Sequence, residues 1–274
     1  MTAEQQKYLF IGCGNMAKAL IQGLLANAVP ASHIMASCPR PEKHQAFAEQ
    51  SKIHISRDLL ALTQQASVII LAVKPAVIPV VLKQLSSLDL SQHIIISVAA
   101  GIQCQQIESG IQSTSTIIRA MPNTPASIGQ GATGLFVGVK ADESQKLIAT
   151  NLFKAVGTVT WVTSESQIDL VTAIAGSSPA YCFMFIQAMA DQAQALGMPE
   201  TSARQLATQA LLGAAKLAQA NPDVELQQMI DAVTSKGGTT EAAIASLKLD
   251  HFTDSIKNAV KSAYQRAQQL GETQ

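Results

Sequence analysis

YLFIGCGNMAKALIQGLLANA, residues 8–28, decides the fold. A short apolar strand, 8–12, runs straight into a glycine turn and then an amphipathic helix. Gly12, Gly14 and Ala17 fall at the spacing of a dinucleotide-binding fingerprint, and a strand before with a helix after gives that spacing its weight. Each position has a mechanical reason. Gly12 allows the tight turn, Gly14 lets backbone approach a pyrophosphate, and Ala17 lets helix and strand pack closely. The helix start turns its free N–H groups and the positive end of its dipole toward negative charge. A strand-turn-helix with no ligand is the plainer reading, and the context favours a cofactor.

The next strand, 33–37, ends where NAD-binding chains place an acid beside the adenosine ribose. Here the sequence is SCPRPEK, with Ser37 and Arg40 able to donate to a 2′-phosphate and Glu42 too far along to serve. The residues therefore predict NADPH as the cofactor, with NADH as the alternative donor; a solvated Arg40 is the competing reading.

Strand and helix continue to alternate. Strands are expected at 53–55, 67–73, 93–101, 116–126, 132–138 and 158–162, with helices from Asp58 and over 142–153. The run SVIILAV is continuous and rich in β-branched residues, as suits a central parallel strand buried on both faces. It ends in Lys74-Pro75, and the proline holds Lys74 extended at the edge that borders the ligand crevice. For Met121–Pro125 a rigid loop, with Asn123 in an Asx turn, stands level with a cofactor contact.

After Trp161 the texture changes to Ala-, Leu- and Gln-rich helix formers. The expected fold is α/β: a Rossmann-type doubly wound sheet over 1–163, followed by an all-α domain over 164–274 that serves dimerisation and substrate binding. Helices are expected at 167–175, 179–197, 199–220, 224–234, 240–247 and 251–270. Leu206, Ala210, Ala214 and Leu217 form one apolar stripe at helical spacing. Residues 180–190, AYCFMFIQAMA, are apolar nearly all round, which calls for burial on every side and implies a second chain. Within 232–247, AVTSKGGTTEAAIASL, two glycines precede two threonines and an Ala-rich helix. That is a small-anion site at a helix start, suited to a carboxylate, or a plain turn with a Thr N-cap.

Nineteen basic and nineteen acidic side chains cancel, and no Lys/Arg-rich run could follow a phosphate backbone, so nucleic acid is not an expected partner. The longest purely apolar run, 68–73, falls far short of the roughly 20 residues of a membrane helix, so no membrane is expected. MTAEQQKYLF lacks the pattern of a signal peptide, and the expected location is cytoplasmic. Cys13, Cys38, Cys104 and Cys182 show neither metal-ligand spacing nor a disulfide framework and read as small, mostly buried thiols. The five histidines form no i, i+4 pair, and no metal is expected.

GCGNMAKA, LAVKP, VAAGI, RAMPNTPA, GSSPAYCFMFIQAMAD and VTSKGGTTEAAI, in that order, resemble pyrroline-5-carboxylate reductase from about residue 8 to residue 270. The resemblance implies reduction of L-1-pyrroline-5-carboxylate to L-proline by hydride from NAD(P)H, the last step of proline biosynthesis. It also implies a homodimer interlocked through the helical domain, in many members built into a decamer. It places Gly12, Gly14, Asn15 and Met16 over the pyrophosphate and Ser37 and Arg40 at the 2′-phosphate. Ala72, Lys74 and Pro75, and Met121, Pro122 and Asn123, fall on the nicotinamide side, and Val73, Ala99 and Ala100 are further cofactor-binding candidates. Substrate falls to Lys236, Gly237, Gly238, Thr239 and Thr240; Ser235 and Thr240 are the catalytic candidates, with Thr240 bonding the ring nitrogen. Lys236 departs from the family's usual proline, and Ser178 from its commoner glycine.

A protonated imine is already an electrophile, which agrees with motifs that hold no His and no paired carboxylates. The task left to the protein is orientation. Two rivals are a β-hydroxyacid dehydrogenase type, for which Lys216 and Lys236 are the lysines to consider, and a dinucleotide-binding protein without turnover, which gives no reason for the SKGGTT loop.

Overall fold

A computed structural model of the chain describes residues 6–272. The expectation about a leader falls partly on residues 1–5, outside the described residues. The apolar runs form one eight-stranded sheet: β1 (Tyr8–Ile11), β2 (Ile34–Ser37), β3 (His54–Ser56), β4 (Val68–Leu71), β5 (Ile94–Ser97), β6 (Thr116–Met121), β7 (Gly131–Val139) and β8 (Gly157–Trp161). Their order is β3-β2-β1-β4-β5-β6-β7-β8. The chain winds outward from β1 to β3 and then crosses back to β4, so the switch in winding falls between β1 and β4, where an open sheet binds its ligand.

β1 to β6 are parallel, but β7 runs antiparallel to β6, with β8 parallel to β7. The sequence reading did not foresee this reversal, and its cause is the connection. A parallel crossover needs about a dozen residues or more, whereas β6 reaches β7 through one 3₁₀ turn, Thr124–Ile128, closed by Gly129. β7 and β8 are joined by a full helix, α6 (Glu143–Lys154), and are parallel again.

Period-two alternation sends neighbouring side chains to opposite faces, and both faces are covered. Tyr8 and Phe10 pack with α1 (Asn15–Ala26) and α6 on one side. Leu9 and Ile11 pack on the other side with α3 (Leu59–Thr63), α4 (Ile78–Leu85) and α5 (Cys104–Ile111). The short α2 (Gln45–Ser51) follows β2. After β8 come α7 (Ser166–Val171) and a π-helical turn, Thr172–Gly176.

Contacts divide the chain into two units. One runs through Ser177 and takes in the chain from Ala263 onward; the other is Ser178–Ser262. The second unit holds α8 (Ser178–Ala195), α9 (Glu200–Ala220), α10 (Leu226–Ala232), α11 (Thr239–Leu249) and the start of α12 (Phe252–Glu272). Its core is small. Ala190, Ala203 and Ala207 are buried together, with Ile186 and Ala193 against them. The stripe expected to pack, Leu206, Ala210, Ala214 and Leu217, is exposed in the single chain, as are Cys182, Phe183 and Met184 on α8. Counted through the π turn, Ser166–Ala195 is long and apolar enough, by length and composition alone, to cross a membrane.

Candidate functional site

The fingerprint turn is built as its spacing requires. Gly12 sits at φ +101°, a left-handed conformation that L side chains rarely adopt, and a Cβ there would lie 2.6 Å from the carbonyl oxygen of Ala72. Its N–H donates to the Ser37 carbonyl at 2.8 Å, and the Ala72 N–H to Ile11 at 2.9 Å, so the ends of β1, β2 and β4 close on one another. Gly14 differs. A Cβ there would meet nothing within 4 Å, so the chain's own packing does not demand glycine. Gly14 is the N-cap of α1, no side chain caps that helix, and the first helical bond is Lys18 N–H to Gly14 at 3.0 Å. The N–H groups of Asn15, Met16 and Ala17 thus precede the ladder at a place where backbone can come close to a ligand. A pyrophosphate fits this site.

At the next strand end Ser37 is 5% exposed and Arg40 is exposed. Several charges gather around them that the sequence reading did not combine. Arg57, just past β3, bonds Glu42 at 2.9 Å, so the acid set aside as too distant is neutralised by a cation. Its own backbone N–H and then Arg57 hold the Glu42 carboxyl below its usual range. Lys18 lies over the Phe47 ring at 5.1 Å. Burial, followed by Lys18 and Arg40, lowers the pKa of His44. With Glu42 paired, the surroundings favour an anion, as the NADPH expectation requires.

Lys74 is extended at φ −61°, ψ 146°, held by Pro75, and is exposed; Ala72, Val73 and Pro75 are partly buried. Ala99 is buried and Ala100 partly so, in the loop after β5. In the loop after β6, Asn123 is 8% exposed with both ends of its amide engaged: Oδ1 accepts from Ala132 N–H at 2.8 Å and Nδ2 donates to the Ala175 carbonyl at 3.0 Å. Pro122 is buried beside it, and Met121 lies against Gly176. Of the two readings of this loop, the bonds of Asn123 fit a rigid one, but not through the expected Asx turn: the amide reaches residues 132 and 175 and does not cap Thr124–Ile128.

An ion triad beneath this region went unread in the sequence. Arg119 on β6 is 3% exposed and bonds Glu165 at 3.1 Å and Asp169 at 3.5 Å, and Glu165 also accepts from the Cys104 N–H at 2.8 Å. Burial, and then the Glu165 charge, raises the Asp169 pKa against the pull of Arg119. Burial pushes the Cys104 thiol to about 12, with Glu165 adding to it. The signal was present: one arginine inside the apolar strand TIIRAM, with two acids one helical turn apart after β8.

In the helical unit the SKGGTT loop corrects one expectation. No threonine caps α11. Gly237 turns left-handed at φ +72°, so the helix begins one residue early, with Gly238 as N-cap and Thr239 and Thr240 inside the first turn. Glu241, which the sequence reading passed over, reaches back to accept from the Gly237 N–H at 2.7 Å, and the Gly238 N–H bonds the Ser235 carbonyl at 3.0 Å. The N–H groups of Gly237 and Gly238 are thereby used within the loop. Those of Thr239 and Thr240 precede the first helical bond, Ala242 to Gly238. Lys236 is exposed and Thr240 partly buried.

Comparison with known proteins settles the family. Residues 165–270 match the model described as pyrroline-5-carboxylate reductase dimerisation, and residues 7–101 the one described as NADP oxidoreductase coenzyme F420-dependent. A pyrroline-5-carboxylate reductase of Haemophilus influenzae is 41% identical over 261 residues, which cover 95% of this chain and 96% of that one. The chain belongs to the pyrroline-5-carboxylate reductase family. The solved reductase of Coxiella burnetii superposes with a TM-score of 0.92 at 38% identity, covering 97% of this chain and 98% of its own. The Plasmodium falciparum pyrroline carboxylate reductase, solved with NADP bound, gives 0.86 at 26% identity over 98% and 99%. The reductase family thus accounts for sheet and helical unit together.

Proposed function

We propose that this chain reduces L-1-pyrroline-5-carboxylate to L-proline, the last step of proline biosynthesis, with NADPH as the donor and NADH as the weaker alternative. The observation that carries the reading is membership of the reductase family over nearly the whole chain with both glycine loops intact. When bound, the nicotinamide supplies the hydride. The α1 start, at Asn15 and Met16, holds the pyrophosphate, and Ser37 and Arg40 hold the 2′-phosphate. The 72–75, 99–100 and 121–123 loops border the nicotinamide, Asn123 by fixing its loop. The Thr239 and Thr240 N–H groups take the substrate carboxylate, the Thr240 hydroxyl bonds the ring nitrogen, and Ser235 shapes the loop through its bond from Gly238. No acid-base pair is needed, because the protonated imine is electrophilic already.

In the same reading residues 1–163 form the cofactor domain and 164–274 the dimerisation and substrate domain, working as a cytoplasmic homodimer able to assemble into decamers. The exposed apolar faces of α8 and α9 support a second copy as their cover. Purified protein given NADPH and pyrroline-5-carboxylate should consume NADPH and yield proline in equal amounts. Reduction of NADP+ by short 3-hydroxy acids instead, or NADPH binding without turnover, would overturn the proposal. Light scattering across a dilution series checks the assembly.

A further inference from the structure

The loop after β5, 98–102, is held at its start by its own strand neighbours. Val98 N–H bonds the Leu71 carbonyl at 3.1 Å, and Ala99 N–H bonds the Ser97 hydroxyl at 3.3 Å. Beyond it Gln103 and Gln106 cap α5 reciprocally. The middle of the loop is met from elsewhere in the sheet unit. Gly101 stands at φ +75°, and a Cβ on it would lie 3.0 Å from the carbonyl oxygen of Leu270 and 3.2 Å from the Leu270 Cβ. A Cβ on Gly271 would be 3.7 Å from the Gly101 carbonyl oxygen. One turn earlier Ala267 is 6% exposed, while Arg266 and Gln268 are exposed. The end of α12 therefore lies close against the loop, with its backbone facing Gly101, and a positive φ coincides with a place where a side chain would be crowded.

We infer that the last turn of α12, through Leu270 against Gly101, is a positioning element that sets the Ala99–Ala100 backbone for cofactor binding. The inference rests on the proposal above that these alanines border the nicotinamide. Backbone facing a glycine leaves no flexible side chain between them to absorb a shift of the helix, so a displaced α12 end displaces the loop. α12 begins in the helical unit and ends in the sheet unit, so one continuous helix supplies the contact.

The contact can be attacked from both sides in the full-length protein, with Gly101→Ala on the loop and Ala267→Glu on the helix, singly and together. Ala100→Val probes the loop itself. Forcing an L side chain into left-handed backbone costs about 1–2 kcal/mol, which converts to a rise of roughly 5- to 30-fold in KM for NADPH. That rise is expected in Gly101→Ala and in Ala267→Glu, with kcat at saturating NADPH and KM for pyrroline-5-carboxylate within about twofold of wild type. The double variant should be no worse than the weaker-binding single, because both break one contact. Multiplied effects in the double variant would overturn the inference. So would a general fall in kcat with both KM values rising, which marks mere destabilisation. Should Gly101→Ala not fold, Ala267→Glu decides alone. A rise in KM for NADPH with Ala100→Val but not with the other two removes the α12 role and leaves the loop reading standing. No effect of Ala100→Val removes both.

Discussion

Asn123 donates through Nδ2 to the Ala175 carbonyl at 3.0 Å, tying the loop after β6 to the π-helical turn that leads into the helical unit. The same amide accepts from Ala132 at 2.8 Å, so one buried side chain joins three segments. Asn123→Ala removes two side-chain bonds to part-buried backbone groups, at about 1–3 kcal/mol. For a chain of this size each kcal/mol moves the melting temperature by roughly 2–4 °C. Thermal melting should show that fall. An unchanged Tm with NADPH affinity lost would mean that the amide contacts the cofactor instead.

Arg119, itself buried, supplies the cation for two partly buried carboxylates. Arg119→Met strands both, and breaking a buried pair from one side costs about 3–5 kcal/mol. Urea unfolding should report the loss. The triple variant Arg119→Met, Glu165→Gln, Asp169→Asn should recover much of it, since no unpaired charge is left.

The raised pKa of Asp169 sets a pH dependence with a definite sign. Its folded-state value lies above the ordinary 3.8. The folded protein therefore binds the proton more tightly than the unfolded chain, and the ionised group costs stability at neutral pH. That cost is full above the folded pKa, shrinks as pH falls through it, and is gone below 3.8. The stability of wild type relative to Asp169→Asn should accordingly rise as pH is lowered across that window; a flat or falling difference would refute the assignment.

The role proposed for Arg40 in cofactor choice can be measured directly. Loss of the side chain removes a charge-assisted bond worth about 1.5–3 kcal/mol, so Arg40→Ala should lower kcat/KM for NADPH roughly 10- to 100-fold and leave the NADH value nearly unchanged. An intact ratio of the two would end the assignment.

Thr240→Ala tests the substrate loop. With one or two positioned hydrogen bonds removed, kcat/KM for pyrroline-5-carboxylate should fall roughly 10- to 1,000-fold in a folded protein. Because Gly238, not a threonine, caps α11, helix content and melting should barely change.

All eight strands were legible, because β-branched runs bounded by glycine and polar residues leave few alternatives over so short a length. The direction of β7 was not. Alternation and composition are the same for a parallel and an antiparallel strand, and only the short 122–130 connection carries the difference. The Leu206 stripe shows a second limit: helical spacing identifies a face without saying what covers it. Loop chemistry was legible by residue type and less so by geometry. The SKGGTT segment promised a helix start beside free N–H groups, yet the turn at Gly237 moved the start by one residue and drew in Glu241. Arg119 went unread since its partners lie beyond two further strands and become neighbours only once β6 and α7 pack.

The reversed β7 also bears on the order in which the sheet assembles. Every other pairing joins strands separated by a helical crossover and so closes a longer stretch of chain, while β6 and β7 meet across one tight turn. Local closure forfeits the least chain entropy before contacts form, which makes this hairpin the natural nucleus of the sheet. It also carries Arg119, Met121 and the ends of the Asn123 loop. The segment proposed to border the nicotinamide would then be among the earliest parts of the protein to take shape.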